Sequence, residues 1–213
     1  MARLFLDQIH LEREVEKLKC DLAHRIDFTC LNAWQLFNYR GLESMTMAEF
    51  SEGLYSYIGN RFYDRDQSFL IFKRYDADMD GRINYREWCR LITPTDRVLA
   101  SLLLGRSPPT GTRISSETSE VFKRLMRAHL NLEQAQEYLR QRASRTRGAN
   151  SWSLQEVFET LDIERKGSVT VYDLERLIIN QKKGGSRSIV DDIELLINMY
   201  DRTGFHKICY IDF

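Results

Sequence analysis

Acidic side chains alternate along one short segment of the sequence, YDADMDGRINYRE. Asp76, Asp78 and Asp80 stand two residues apart, Gly81 follows directly, and Glu87 closes a span of twelve residues. A Ca²⁺ ion takes six to eight oxygen ligands at about 2.3–2.6 Å, and alternate side chains of a tightly turned loop can supply them. The segment from Asp76 to Glu87 therefore predicts a Ca²⁺-binding loop.

Six residues of this segment are predicted as metal ligands: Asp76, Asp78, Asp80, Arg82, Asn84 and Glu87. Arg82 enters the set through its backbone carbonyl, so its cationic side chain does not exclude it. Asn84 can bind directly or through a water molecule, and Glu87 can offer both carboxylate oxygens. Gly81 permits the sharp turn that the loop requires.

The alternative interpretation of these acids is a solvated turn without a metal. Apolar residues at helical spacing flank the segment on both sides: Ile71, Phe72 and Tyr75 before it, and Trp88, Leu91 and Ile92 after it. This spacing predicts two helices that bury a common face. The flanking helices favour the metal loop over the solvated turn.

The frame of helix, loop of twelve and helix recurs at residues 38–49, 162–173 and 201–212. The eighth position is apolar in every copy: Met45, Ile83, Val169 and Ile208. An apolar side chain there suits a short antiparallel strand that joins two loops and faces the core. We expect the first loop to pair with the second and the third with the fourth.

The three other loops lack the full set of oxygens. Arg40 and Leu42 replace ligands in the first, and Phe205 does so in the fourth. In the third, Lys166 brings a cation to the fifth position, and the twelfth is Asp173, which is shorter than glutamate. We expect these three loops to hold no Ca²⁺.

With these residues in view, the chain resembles the calmodulin superfamily of EF-hand proteins. The resemblance rests on the pattern D-x-D-x-D-G-x-I-x-x-x-E and its repeats, and it covers roughly residues 25–93 and 150–213. It implies an all-α fold of two EF-hand pairs, with three of the four helix-loop-helix units degenerate. Short β-bridges between paired loops and a long N-terminal helix complete this expectation.

Prolines and glycines predict how the chain is divided, since all three prolines lie between residues 94 and 109. The predicted parts are an N-terminal helix (1–24), a first pair (25–93), a hinge with a basic connecting helix (94–149) and a second pair (150–213). Leucines seven apart extend the helical prediction from residue 1 to 37. That helix either docks a partner protein or packs across its own lobe. Because the sequence stops one residue after the fourth loop, we expect a longer native polypeptide.

Composition and motifs argue against several classes. Lys and Arg total 31, as do Asp and Glu, so charge does not predict nucleic acid as a partner. No stretch has the length of a membrane span, and four cysteines without metal-finger spacing favour the cytoplasm. No nucleophile and base stand in a catalytic pattern, so we expect neither membrane insertion nor enzymatic activity.

The opening LEREVEKLK, the second loop and the RLMRAHL…RQRASR stretch also resemble EF-hand proteins of ciliary axonemes, including those bound inside the microtubule wall. That resemblance implies a cytoskeletal location and a partner such as tubulin or another axonemal protein. Arg140, Arg142, Arg145 and Arg147 form a basic cluster. They either end a solvated helix, where cations suit the helix dipole, or contact an acidic filament.

Two functions compete on this evidence. A structural or adaptor protein would use the lobes for permanent docking, whereas a calmodulin-like Ca²⁺ sensor would expose a groove for a target helix. Three degenerate loops and only six methionines favour the structural role, because promiscuous grooves are rich in methionine. A regulatory part of a larger enzyme remains a third possibility.

Overall fold

The computed structural model describes residues 2–107, 114–145, 154–179, 187–201 and 203–211. This part of the protein is mostly helical and has two small two-stranded antiparallel sheets, as the sequence predicts for an all-α protein. The chain forms two compact units. We call residues Glu14–Gln134 the central unit, and Met1–Arg13 with Ala135–Phe213 the terminal unit.

The central unit takes its helices and strands from the first two thirds of the chain. They are α1 (Ala2–Ala23, from Glu14 onward), α2 (Cys30–Phe37), β1 (Ser44–Thr46), α3 (Met47–Ile58), α4 (Arg65–Tyr75), β2 (Arg82–Asn84), α5 (Tyr85–Ile92), α6 (Arg97–Leu104) and α7 (Ser116–Arg145, up to Gln134). The N-terminal helix exists, but its predicted extension to residue 37 is wrong. Thr29 begins a new helix because its side chain accepts a hydrogen bond from the amide of Asn32 at 3.0 Å.

Side-chain caps fix where the helices of the central unit begin. From α2 to α6 the capping residues are Thr29, Thr46, Asp64, Asn84 and Asp96. Thr46 and Asn84 belong to reciprocal capping boxes with Glu49 and Glu87. Each strand of the small sheet therefore passes directly into a helix with a fixed start.

An aromatic cluster forms the core of the central unit. Phe28, Phe37, Phe50, Trp88 and Phe122 are fully buried. The ring centroids of Phe37 and Trp88 lie 4.9 Å apart, and Phe122 of α7 lies within 6.4 Å of the rings of Phe28, Phe37 and Trp88. Beside this cluster, Met45 of β1 pairs with Ile83 of β2, and both side chains are buried. The expected pairing of the first two loops is thus observed.

The terminal unit contains the second strand pair. Its elements, beside the ends of α1 and α7, are α8 (Leu154–Leu161), β3 (Ser168–Val169), α9 (Val171–Ile179), α10 (Arg187–Tyr200) and β4 (Ile208–Cys209). Val169 pairs with Ile208 in the predicted register. Ile9 of α1 joins the apolar core, and the Tyr200 hydroxyl accepts hydrogen bonds from Gln8 and Gln136 at 3.3 and 2.7 Å.

Each predicted pair, 25–93 and 150–213, falls within one unit, while the four-part division of the sequence stays a prediction. The predicted hinge residues Pro108 and Pro109 lie outside the described residues, as do the side chains of the arginine cluster at positions 140–147. Within the described part of the chain, no helix has both the length and the apolar character needed to cross a membrane.

We predict that Phe122→Ala lowers the free energy of unfolding of the central unit by about 3–5 kcal/mol, because a fully buried ring leaves a cavity among other rings. Chemical denaturation followed by tryptophan fluorescence measures this change. Phe69→Ala in α4 is the matched control, since that ring is 51% exposed and its loss should change stability by about 0.5 kcal/mol or less. Equal losses in both variants would contradict the core position of Phe122.

Candidate metal centre

The loop from Asp76 to Glu87 connects α4 to α5 and includes β2. Helix α4 ends as the Asp76 amide donates to the carbonyl of Phe72 at 2.9 Å. The chain then turns sharply at Gly81, whose φ of 79° lies in the left-handed region that favours glycine. Local sequence thus folds this segment into a tight turn between two capped helices.

Three carboxylates converge in this turn. Asp76, Asp78 and Asp80 each place an oxygen within 4.8 Å of the others. Asp78 and Asp80 are exposed and Asp76 is half-buried, so an ion in water can reach them. Hard oxygens of this kind suit Ca²⁺ or Mg²⁺, and the number of carboxylates favours Ca²⁺. The chemistry of the donor set therefore fits the predicted ion.

Backbone amides hold these carboxylates in place. Asp76 accepts from the amides of Asp80 at 3.2 Å and Gly81 at 3.0 Å, and Asp80 accepts from the amide of Arg82 at 2.7 Å. The turn consequently gathers three carboxylates at one point, while the guanidinium of Arg82 bonds Ser44 of β1.

Glu87 closes the loop differently from the three aspartates. It is 4% exposed, and its two carboxylate oxygens accept from the amides of Ala77 at 2.8 Å and Asn84 at 3.0 Å. It does not belong to the group within 4.8 Å. An ionised carboxylate has about four lone-pair sites, so these two bonds leave acceptor capacity for a metal. Glu87 ties the start of the loop to its end.

The remaining predicted ligands also have defined positions. Asn84 Oδ1 accepts from the Glu87 amide at 3.0 Å, and the Arg82 guanidinium donates from Nε to Ser44 Oγ at 2.7 Å. The Arg82 side chain is therefore engaged with β1, in keeping with a role for its carbonyl alone. The structure brings together the oxygens of the three aspartates, while metal ligation by all six predicted residues stays a prediction.

The loop at 38–49 contains its own cation. Arg40 Nη1 lies 3.4 Å from Glu49 Oε1, and Asn38 bonds through its side-chain amide to both the amide and the carbonyl of Leu42. Hydrogen bonds from Thr46 hold the pKa of Glu49 below its usual value. This loop closes through protein groups alone.

The loop at 162–173 is closed by a lysine. Lys166 Nζ lies 3.0 and 2.9 Å from the two oxygens of Asp173 and 3.6 Å from Glu164. Asp162 accepts from the amides of Lys166 and Gly167. The ammonium group of Lys166 thus places a positive charge beside Asp173 and Glu164, the acidic side chains that would otherwise be available to a metal ion. The sequence shows Lys166 at the fifth position, but not that it reaches the twelfth.

The last loop is satisfied by its own backbone. Asp201 accepts from the amides of Thr203, Gly204 and His206 and from the Thr203 hydroxyl, at 2.7–2.9 Å. His206 bonds Asn198 at 2.9 Å, and Asp212 lies outside the described residues. In the described ranges, Asp76, Asp78 and Asp80 are the one group of three metal-binding side chains that meet at this distance.

A scan against protein-family models finds no match for this chain, and a search of curated proteins finds none either. Inference about function therefore rests on the residues and their geometry.

We predict that Lys166→Met destabilises the terminal unit by about 1–3 kcal/mol, because Asp173 is 4% exposed and loses a charged hydrogen-bond partner. Thermal unfolding measures the loss. Arg176→Met, which removes an exposed cation from α9, is the matched control and should have little effect.

The pair of Lys166 and Asp173 should also make the stability of the terminal unit depend on pH. Burial opposes ionisation of Asp173, yet hydrogen bonds from Lys166 and Thr170 hold its pKa below the ordinary value. A lowered pKa in the folded state stabilises above the unfolded pKa of about 3.9 and loses that effect as the pH falls through the folded value. The deficit of Lys166→Met relative to the native chain should therefore shrink below about pH 4. A deficit that stays constant with pH would rule out the ion pair as its cause.

Proposed function

We propose that the protein is a non-enzymatic Ca²⁺-binding protein of the calmodulin superfamily, with one working loop at Asp76–Glu87. The observation that carries this proposal is the convergence of three aspartate oxygens within 4.8 Å in a turn between two capped helices. Carboxylates this close repel one another, so a divalent cation is the natural partner of the arrangement. In two other loops a cationic side chain pairs with the acid at the twelfth position: Arg40 with Glu49, and Lys166 with Asp173.

We further propose that the helices form two EF-hand pairs. Support comes from the strand pairs Met45–Ile83 and Val169–Ile208, which join the first loop to the second and the third to the fourth. Each pair joins two loops of twelve residues that begin where a helix ends. On this proposal three of the four units keep the frame through apolar packing and internal hydrogen bonds, without metal.

The role we propose is structural: the protein is an adaptor in a cytoskeletal assembly, with ciliary axonemal microtubules as the preferred setting. Two observations favour this role over a Ca²⁺ sensor. In the loops that begin at residues 38, 162 and 201, protein groups bond the described acidic side chains, which favours the loop at 76–87 as the one that responds to Ca²⁺. The aromatic core of the central unit is also covered by Phe122 of α7, where a sensor would offer a groove.

A calorimetric Ca²⁺ titration in millimolar Mg²⁺ tests the metal site. We predict one site with a Kd of about 10⁻⁷ to 10⁻⁵ M, the range of regulatory EF-hand loops. Glu87→Gln should weaken it by about 10- to 100-fold, because a charged ligand contributes about 1.5–3 kcal/mol.

Glu49→Gln is the matched control. Glu49 holds the position in the capping box of α3, at the end of the loop 38–49, that Glu87 holds in the capping box of α5. This control should leave the Ca²⁺ affinity unchanged. Equal weakening in both variants would assign the effect to helix capping, and no heat of binding in the native chain would refute the Ca²⁺ site.

Co-sedimentation with microtubules tests the structural role. We predict that the chain sediments with them equally in Ca²⁺ and in a chelator. Changing Arg140, Arg142, Arg145 and Arg147 together to Gln should lower the affinity roughly tenfold, since an ion pair at a solvated interface typically contributes about 0.2–1 kcal/mol.

A control with the same loss of charge changes four exposed arginines elsewhere, Arg65, Arg86, Arg97 and Arg124, to Gln. It should sediment like the native chain at moderate ionic strength. Binding that falls equally in both variants would indicate a general charge effect, and binding that requires Ca²⁺ would favour the sensor.

A further inference from the structure

Residues 116–134 of α7 are buried around most of the helix. Within the central unit their exposed positions lie on one side of the helix: Ser116, Glu117, Glu120, Arg124, Asn131 and Gln134. Phe122, Leu125, His129 and Leu132 are 0–1% exposed. A helix on the surface of a unit would bury one face, whereas this segment is enclosed like a bound peptide.

Phe122 anchors the first half of this segment. Its ring centroid lies 5.3 Å from Phe28, 5.2 Å from Tyr57, 6.1 Å from Phe37 and 6.4 Å from Trp88. These rings belong to α2, α3, α5 and the turn before α2. One side chain of α7 thus contacts residues from most of the helical framework around the paired strands.

The second half of the segment contacts the two helices that flank the metal loop. Glu133 Oε1 lies 3.0 Å from Arg74 Nη1, and the Tyr75 ring meets the His129 ring edge-on at 5.6 Å between centroids. Arg74 and Tyr75 end α4, directly before Asp76. The contacts therefore lie at the entrance to the loop.

His129 also contacts α5, the helix that follows the loop. Its Nε2 lies 3.1 Å from the carbonyl of Leu91 in α5, and because a carbonyl only accepts, Nε2 must carry the hydrogen. Burial, with the charges of Lys19 and Arg74 nearby, keeps the pKa of His129 well below its ordinary value, so the ring is neutral at pH 7. One side chain thus links the last residue of α4 to the last turn of α5.

We propose that residues 116–134 are an intrachain ligand helix that fills the helix-binding surface of the central unit and holds α4 and α5 in the arrangement that binds Ca²⁺. The occupant of this surface is the chain itself, and an external helix would have to compete with it. This inference rests on the proposed Ca²⁺ site at 76–87.

The direction of the coupling follows from the charges. Asp76, Asp78 and Asp80 are gathered while α7 contacts both flanking helices, and their mutual repulsion favours spreading apart. Contacts that keep α4 and α5 in place reduce the cost of assembling the ligands, so they raise metal affinity. By linkage, loosening α7 must lower the affinity of the loop for Ca²⁺.

Glu133→Gln tests this in the full-length chain, because it removes the charge that pairs with Arg74 and keeps the size of the side chain. We expect the Kd for Ca²⁺ by calorimetry to rise at least about fivefold, the lower end of typical coupling between sites. Glu120→Gln is the matched control: it makes the same change on the exposed side of the same helix, where Glu120 pairs with Lys123. It should leave the Kd unchanged.

Hydrogen exchange provides a second measurement that does not depend on metal. Without Ca²⁺, the amides of α4 and α5 should exchange faster in Glu133→Gln than in the native chain, with no change in Glu120→Gln. Circular dichroism checks that both variants keep the native helix content.

The outcomes separate the two proposals. A native chain without Ca²⁺ binding refutes the metal site and the coupling, while faster exchange in Glu133→Gln would still support the ligand helix. A native chain that binds Ca²⁺, with Glu133→Gln equal to it in both Kd and exchange, overturns the ligand helix and leaves the metal site standing.

Discussion

Repulsion among three carboxylates is the constraint on which the central unit depends. Asp76, Asp78 and Asp80 each place an oxygen within 4.8 Å of the others, and like charges at this distance repel one another. Backbone amides at Gly81 and Arg82 offset part of this repulsion, and capped helices on both sides fix the loop ends. The remaining repulsion is the physical basis of the proposed cation site.

In the other loops, groups of the chain itself bond the acidic side chains. Arg40 and Lys166 contribute tethered charges to Glu49 and Asp173, and Asp201 is satisfied by amides. A tethered charge loses less entropy on binding than a free ion, and it cannot be removed by chelation. On the proposed structural role, loops bonded in this way would not depend on Ca²⁺ for their form.

The sequence predicts local features of this fold well and distant contacts poorly. The loop at 76–87 and the pairing of Met45 with Ile83 follow from residue types at fixed spacing. The leucine spacing does not predict the break after Ala23, although Thr29 is a residue type that commonly caps a helix. Apolar spacing predicts that α7 is amphipathic, but no local pattern reveals that His129 reaches the carbonyl of Leu91, 38 residues away.

The buried position of residues 116–134 also limits what Ca²⁺ would do at the proposed site. Burying one phenylalanine contributes about 1.5–3 kcal/mol, and each close aromatic pair adds about 0.5–1.5 kcal/mol, so Phe122 with its neighbouring rings is held by several kcal/mol. One ion at a hundred times its Kd supplies about 2.7 kcal/mol, and only if it binds a single state. At the proposed site, Ca²⁺ would therefore be too weak to expel residues 116–134. On the proposed coupling, the contacts of this segment favour the gathered carboxylates, so the ion and the helix would stabilise the same arrangement.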